Sequence, residues 1–521
     1  MFKKSQSMIV MTILGLLLIV PSFSQSYPIS GSPKLSFFCL PGGWNVKYQS
    51  ITDAPITKEL MKRTGVQLDY IVPSMAQGLD QLNLRIASQD LPDMISWDWV
   101  NFPGGPEKAM KDKVIVRLNE AMAKWAPNLT AYLKAHPDVD RMVKTADGDY
   151  YVFPFLRGDA TLQTYQGPML RGDWLDELGL QVPTTIDEWY TVLKAFKEKK
   201  GATLAFRSLG GTFGEYTSPA FVGAFGTVVN WDNGFFQENG KIKWGPNESG
   251  FKDFIMLWRK WYAEGLIDQD IALMDQKLLD SKVTSGKVGA LVGNLGGMMG
   301  TFTNMMKTID PKFRLVAAPY PVLKKGDTPR FGQRDLAYTP AGSVAITSKC
   351  TNLEAAVRFL DYGYSQEGSM LYNFGIDGKS YSMVNGYPKY SAYITANPDG
   401  WSMAEALGGY VQSIAGGPFV QDKRYGEQYF VLPNQQVAMK VWSTTDMDKY
   451  QIPRLSIPPT ESSEFSRIRN ELRTLTSEVM TMTILGGSLD KLNSFPANIK
   501  KIGVDRLIAI EQASLNAYNR N

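Results

Sequence analysis

The sequence predicts an α/β protein of more than one lobe, finished by a helical C-terminal segment. Three observations carry this. Short apolar or β-branched runs alternate with helical patterns from Lys34 onward, the alternation resumes in the middle of the chain, and from Ser462 the sequence reads almost wholly as helix. Alternating elements of these lengths mean βαβ units and a parallel, doubly wound sheet. At 521 residues and 44% apolar content the chain has material for two or three packed domains.

Before the first strand, Lys3 and Lys4 precede a charge-free apolar run from Met8 to Val20. Pro21 breaks the run, and Ser22, Ser24 and Ser26 supply small residues. This pattern is that of a secretory signal peptide over residues 1–26, cleaved after Ser24 or Ser26. The run falls short of the about 20 apolar residues of a membrane span. Cys39 lies too far past it, behind Phe37 and Phe38, to receive a lipid anchor. The expected product is a secreted, periplasmic protein without a lipid anchor.

"KLSFFCL" is the first strand, and "APITKELMKRTG" a helix opened by Pro55 and closed by Gly65. "VQLDYIV" follows as a strand, then a helix with Leu79, Leu82 and Ile86 on one face, then the strand "LPDMISW". In such sheets ligands bind beyond the carboxyl ends of strands. Trp44 in "PGGWN" and the run Trp97-Asp98-Trp99 stand at such ends and are candidate ligand contacts. "LNEAMAKWAPNLTAYLKAHPDVDRMV" is mostly helical, and "GDYYVFPF" turns extended. "RGDWLDELG" is a short helix ended by Gly179, and Pro183 stops any continuation. The next helix has Thr185 and Glu188 as a capping box, with Ile186, Trp189, Val192, Leu193 and Phe196 on one face. "SGFKDFIMLWRKWYAEG" is an amphipathic helix, Val288–Val292 a strand after a further helix, "KFRLVAAPYPVL" another strand, and "DLAYTPAGSVAITS" a returning one. Trp231, Trp401, Gln421 and Asp422 lie in turn-rich stretches of the kind that often carry binding residues on a rigid scaffold.

Composition excludes several functions. Without Lys3 and Lys4 the 55 basic residues fall to 53 against 51 acidic ones, a near balance that leaves no basic field for nucleic acid. Two separated cysteines and the single His136 make neither a disulfide framework nor a His- or Cys-built metal site. A Ser-His-Asp triad would require His136, which stands at a helix end before Pro137. There is no G-x-S-x-G and no H-E-x-x-H, and "SLGGTFGEY" is neither a dinucleotide fingerprint nor a P-loop. No cofactor is expected.

The ordered blocks "TGVQLDY", "IASQDLPDMIS", "LRGDWLDELGLQVPTTIDEWYTVLKAFKEK", "WYAEGLIDQD", "SGKVGALVG" and "NFGIDGKSYSMVNGYPKY" resemble the extracellular solute-binding proteins of carbohydrate ABC transporters. The likeness is to the large branch with alginate- and aldouronate-oligosaccharide-binding proteins, and it spans nearly all of the chain after the signal. The resemblance implies a two-lobed fold of the maltose-binding-protein type, with an interlobe cleft and extra C-terminal helices. Residues 27–157 with 338–400 would form the first lobe, and 158–337 with 401–521 the second. It implies that Arg171 and Asp173 stand near the cleft, with Trp174 packed beneath. Two departures matter. The place of a Ca²⁺ loop in alginate-type relatives reads "EKKGATLAF", without the oxygen ligands such a loop needs, so no metal is expected there. Where those relatives carry a cleft aromatic, the chain has Asn294 and a glycine-rich bend, which makes Asn294 a candidate in its place.

The expected function is therefore capture of an oligosaccharide by hinge closure and its delivery to a membrane ABC permease, by a monomer without enzymatic activity. Asp98 and Asp173 would accept sugar hydroxyls, Arg171 would donate, and Trp44, Trp97 and Trp99 would stack. A secreted glycoside hydrolase, which needs only two carboxylates, and a sensory sugar-binding module for a membrane receptor stand as alternatives.

Overall fold

The computed structural model describes residues 25–520, apart from 43–46, 76, 208–217, 230–233 and 413–415. The signal segment through Ser24, Trp44, Trp231 and the stretch "SLGGTFGEY" lie outside the described residues. The strands, in chain order, are Lys34–Phe38 (β1), Gln67–Ile71 (β2), Met94–Ser96 (β3), Phe153–Arg157 (β4), Gln166–Arg171 (β5), Thr203–Ala205 (β6), Phe235–Glu238 (β7), Lys241–Trp244 (β8), Val288–Asn294 (β9), Leu315–Ala317 (β10), Tyr338–Ile346 (β11), Tyr381–Val384 (β12), Tyr387–Tyr390 (β13) and Val420–Gln421 (β14).

Two sheets organise two lobes. The first has the order β14-β4-β11-β3-β1-β2 and the second β10-β5-β9-β6. β1 runs parallel to β2 and β3, as βαβ units require. β11 runs antiparallel to both β3 and β4, so the first sheet is mixed rather than wholly parallel. The reason is topological: β4 takes the chain out of this lobe and β11 brings it back, so the two must run in opposite directions. The second sheet is mixed for the same reason, with β5 antiparallel to β9 and β10 while β6 runs parallel to β9.

Each lobe has its own core. One joins Leu35, Phe38, Met94, Ile95, Phe153, Leu156, Val344 and Phe419. The other joins Met169, Trp189, Phe196, Trp258, Leu291 and Trp442 with Phe465, Leu472 and Leu507 of the C-terminal helices. Those helices, Pro459–Ile484, Asp490–Ile502 and Val504–Tyr518, belong to the second lobe through this shared burial. β14 hydrogen-bonds to β4 in the first sheet, so the first lobe extends past residue 400 and the chain leaves it only after β14. A smaller core around Phe374, Tyr381, Tyr390 and Tyr425 accompanies this extension.

Local signals act as the sequence predicts. Helix Ile186–Lys200 starts at a capping box in which Thr185 accepts from the Glu188 amide and Glu188 accepts in return. Ile186, Trp189, Val192, Leu193 and Phe196 are all buried, each worth about 1.5–3 kcal/mol against exposure. Leu79 differs: it is 55% exposed, because helix Gly78–Ser88 turns only Leu82 fully inward. Cys39 and Cys350 are free thiols, and burial pushes both up to about 12. Among the described residues no helix is long and apolar enough to cross a membrane.

Candidate ligand-binding site

The chain passes between the sheets three times: from β4 to β5, from β10 to β11, and from β14 to helix Pro433–Trp442. Side chains tie these crossings together. Arg157, the last residue of β4, donates from Nε and Nη2 to one Asp335 oxygen at 3.0 and 2.8 Å, and from Nη1 to Gln421 Oε1 at 3.0 Å. Asp335 in turn donates its amide to Gln163 O at 2.9 Å. The Tyr320 hydroxyl donates to Gln166 O at 2.7 Å and accepts the Gln333 amide at 2.9 Å. Trp442 donates its indole N–H to Pro168 O and Ala318 O at 3.2 and 3.1 Å. Position 167 must be glycine for this, since a Cβ there would stand 2.5 Å from Trp442 Cε2.

Beside the crossings lies a cavity of about 350 Å³, walled by both lobes. Phe102, Tyr151, Tyr165, Phe235, Phe236 and Tyr338 give it aromatic surface, and Asn101, Glu107, Gln166, Gln333, Asp335 and Thr339 give it polar groups. Flat apolar faces suit the C–H side of a pyranose, and planar polar groups suit its hydroxyl rim. The Tyr151 and Tyr338 hydroxyls lie 3.2 Å apart. Burial raises both phenols, Tyr338 to about 12, so both stay neutral hydrogen-bonding groups at ordinary pH. Gln166 Oε1, Thr339 Oγ1 and both carboxylate oxygens of Glu107 are buried here without a hydrogen-bond partner. Such groups are costly unless something donates to them.

The predicted site residues divide into groups. Asp98 and Asn294 come next to this cavity: Asp98 accepts from the amide and Nδ2 of cavity-lining Asn101 at 3.2 and 2.9 Å, and Asn294 is the ladder partner of Gln166. Gln421 reaches the crossings through Arg157. Trp97 is half-buried at the end of β3, its ring 6.5 Å from that of Phe38. Trp99 is 1% exposed, and its indole has no face open to a ligand in this conformation.

Arg171 and Asp173 lie at the other end of β5 from Gln166, away from the crossings. Arg171 binds Asp173 through Nε and Nη2 at 2.8 and 2.5 Å and Asp310 at 2.8 Å, and it lies 3.9 Å from the centre of the Trp174 ring. Asp422 caps helix Lys423–Tyr429 and pairs with Arg424. Trp401 packs on the small core, with the Lys47 ammonium 3.5 Å over its ring. The "EKKGATLAF" segment forms the end of a helix, Gly201 in the left-handed region and β6. Among the described residues no group of three or more His, Cys, Asp or Glu side chains is placed to hold a metal.

Sequence reasoning missed Arg157, Asp335, Gln166, Thr339 and Glu107. The first two had a signal: Asp335 opens the returning stretch "DLAYTPAGSVAI", and Arg157 stands two residues past the extended stretch "GDYYVFPF". Glu107 in "GGPEK" had none.

A profile of the bacterial extracellular solute-binding protein family matches residues 43–370, and the chain belongs to that family. It is 23% identical over 499 residues to the fructooligosaccharide ABC transporter substrate-binding protein FusA of Streptococcus pneumoniae, covering 89% of this chain and 87% of that one. It is 27% identical over 353 residues to lipoprotein LipO of Bacillus subtilis, covering 64% of this chain and 65% of LipO. Among solved structures, alginate-binding protein AlgQ2 without calcium ion superposes with a TM-score of 0.77 at 24% identity, over 94% of this chain and all but 1% of AlgQ2 (99% covered). FusA in complex with kestose superposes with a TM-score of 0.75 at 21% identity, over 94% of this chain and 100% of FusA. These likenesses establish the two-lobed fold.

Proposed function

We propose that this protein is an exported, non-enzymatic solute-binding protein that captures an oligosaccharide between its lobes and delivers it to a membrane ABC permease. The observation that carries the reading is the cavity at the three crossings, where aromatic faces stand beside buried acceptor oxygens without donors. A sugar supplies both complements, C–H faces for the rings and hydroxyl hydrogens for the oxygens. Membership of a solute-binding family, and the oligosaccharide and alginate ligands in the names of FusA and AlgQ2, support the same reading.

As ligand contacts or their direct supports the reading takes Asp98, Asn294, Gln421 and Trp97, together with Glu107, Gln166 and Thr339; the Asp98 bonds to cavity-lining Asn101 and the Gln421 bond to Arg157 support it. Binding would favour the closed arrangement of the lobes and shift the population toward it. A monomer suffices, since the cavity is walled by one chain.

The test is a thermal-shift screen of the secreted chain against oligosaccharides, with the same wells assayed for sugar breakdown. A ligand at 100 times its dissociation constant adds about 2.7 kcal/mol of stability. A shift with intact sugar is the expected result. Shortened sugar would establish a hydrolase in place of a carrier.

A further inference from the structure

The helix Val504–Tyr518 belongs to the second lobe along most of its length and ends on the first. Val504, Leu507, Ile510 and Leu515 are buried in the second lobe's core. Gln512 fixes the helix to the hairpin of β7 and β8, its Oε1 accepting the Ile242 amide at 2.8 Å and its Nε2 donating to Gly240 O at 3.0 Å. Glu511 reaches the wall of the cavity. Two helical turns further on, about 10 Å along the axis, Tyr518 packs against the core of the first lobe.

Its partner there is Arg141 of the short helix Pro137–Met142, whose guanidinium carbon lies 5.3 Å from the centre of the Tyr518 ring. A guanidinium over an aromatic face is attracted by the ring quadrupole, and its flat shape lets it stack there. Tyr518 and Leu515 line a smaller hollow that shares Met142, Leu336 and Ile452 with the cavity. The contact therefore lies beside the cavity and close to the crossing that returns to β11. Hydrogen bonds that join the lobes nearby are long: Ser456 Oγ donates to Lys144 O at 3.3 Å, and Arg469 Nη1 to Asn101 Oδ1 at 3.4 Å. At those lengths neither holds the lobes as firmly as a packed ring does.

We propose that the C-terminal helix is a clasp, anchored in the second lobe and closed on the first by Tyr518 and Arg141, which favours the arrangement in which both lobes wall the cavity. The clasp is independent of what the cavity binds. Releasing it costs little folded structure, because Tyr518 is the last residue of its helix and only half-buried, and Arg141 is exposed. What changes is the balance between this arrangement and a more open one. Loss of one contact of this kind shifts such a balance by about two- to fivefold.

The experiment is small-angle X-ray scattering of the sugar-free secreted chain, wild type against Tyr518→Ala, Arg141→Ala, Tyr518→Phe and Asn516→Ala, with a thermal melt of each. Wild type should scatter largely as this arrangement of the lobes. Tyr518→Ala and Arg141→Ala should each expand it, with a radius of gyration larger by about 0.5–1 Å and little change in melting temperature. Tyr518→Phe keeps the ring and should match wild type. Asn516 stands in the same last turn and accepts from Gln512 of its own helix at 3.0 Å. Asn516→Ala should match wild type too, which separates loss of the clasp from fraying of the helix end. Scattering of Tyr518→Ala and Arg141→Ala that superposes on wild type overturns the inference. So does a wild type already more open than this structure, or an equal expansion in Asn516→Ala. Each of these results leaves the carrier reading standing, since the sugar screen decides that separately.

Discussion

Arg157 holds Asp335 through two nitrogens, 3.0 and 2.8 Å from a single carboxylate oxygen, although the two residues are separated by 178 positions in the chain. One ends the strand that leaves the first lobe, the other precedes the strand that returns to it, and Nη1 of the same guanidinium reaches Gln421 near the third passage. A single side chain thus registers all three crossings. Asp335 is 29% exposed, which limits the strength of the pair. Arg157→Ala should cost about 1–2 kcal/mol in denaturant unfolding and weaken sugar binding by more than that loss explains. Arg157→Lys keeps the charge without the fork and should recover stability better than affinity.

Arg171 offers the opposite case. It is 2% exposed and fully committed to Asp173 and Asp310. Removing the guanidinium leaves the Asp173 and Asp310 carboxylates without it, 14% and 35% exposed and so partly solvated, at a cost of about 1–3 kcal/mol. Arg171→Ala should therefore lower the melting temperature strongly, while the folded fraction binds sugar with unchanged affinity. A loss of affinity beyond the loss of folded protein would return Arg171 to the ligand site.

Trp97 and Trp99 should separate in the same way. Trp99→Ala empties a core position and should cost about 3–5 kcal/mol of stability. Trp97→Ala, at a half-buried strand end, should cost less stability and reduce ligand affinity at least about tenfold, or about 1.4 kcal/mol. Equal affinity in the Trp97 variant would remove that residue from the site.

Glu107 predicts a pH dependence of stability with a definite sign. Its carboxyl titrates at about 7 in the fold against an ordinary value of 4.5, so the folded state favours the protonated form. The stability this contributes is complete below pH 4.5 and is lost as pH rises through about 7. Glu107→Gln should therefore gain up to ~3 kcal/mol over wild type at pH 8 and almost nothing at pH 4. Asp361, pushed up to about 6 by burial, has the same sign but is common to both proteins and drops out of the difference. Denaturant midpoints across pH 4–8 measure this, and a constant difference would place the Glu107 carboxylate in a solvated setting.

The elements were legible where a few neighbouring residues decide the matter. The Thr185–Glu188 box, the glycine after Thr64 and the apolar face from Ile186 to Phe196 each act within one or two helical turns. Strand direction was not legible, because β11 is antiparallel through its route back from the other lobe and not through its own residues. The site divides along the same line. Asp98 and Asn294 could be named as candidates because strand ends are local features, while Glu107 became a candidate only when segments from distant parts of the chain closed the cavity. Arg171 is ambiguous in sequence for a related reason: Arg and Asp two apart read equally well as a ligand clamp or as an internal pair, and Asp310, the second partner of the guanidinium, is 139 positions away.

Cys39 and Cys350 have a practical consequence. Only a thiolate attacks maleimides and related reagents, and at about 12 both side chains hold almost none at neutral pH. The native protein is therefore a nearly silent background for thiol labelling. A pair of cysteines added on opposite lobes, at exposed positions such as Lys134 and Lys199, could carry a donor and an acceptor dye with both natural residues left in place. Closing of the lobes around each candidate sugar would then be read as a change in energy transfer in single molecules.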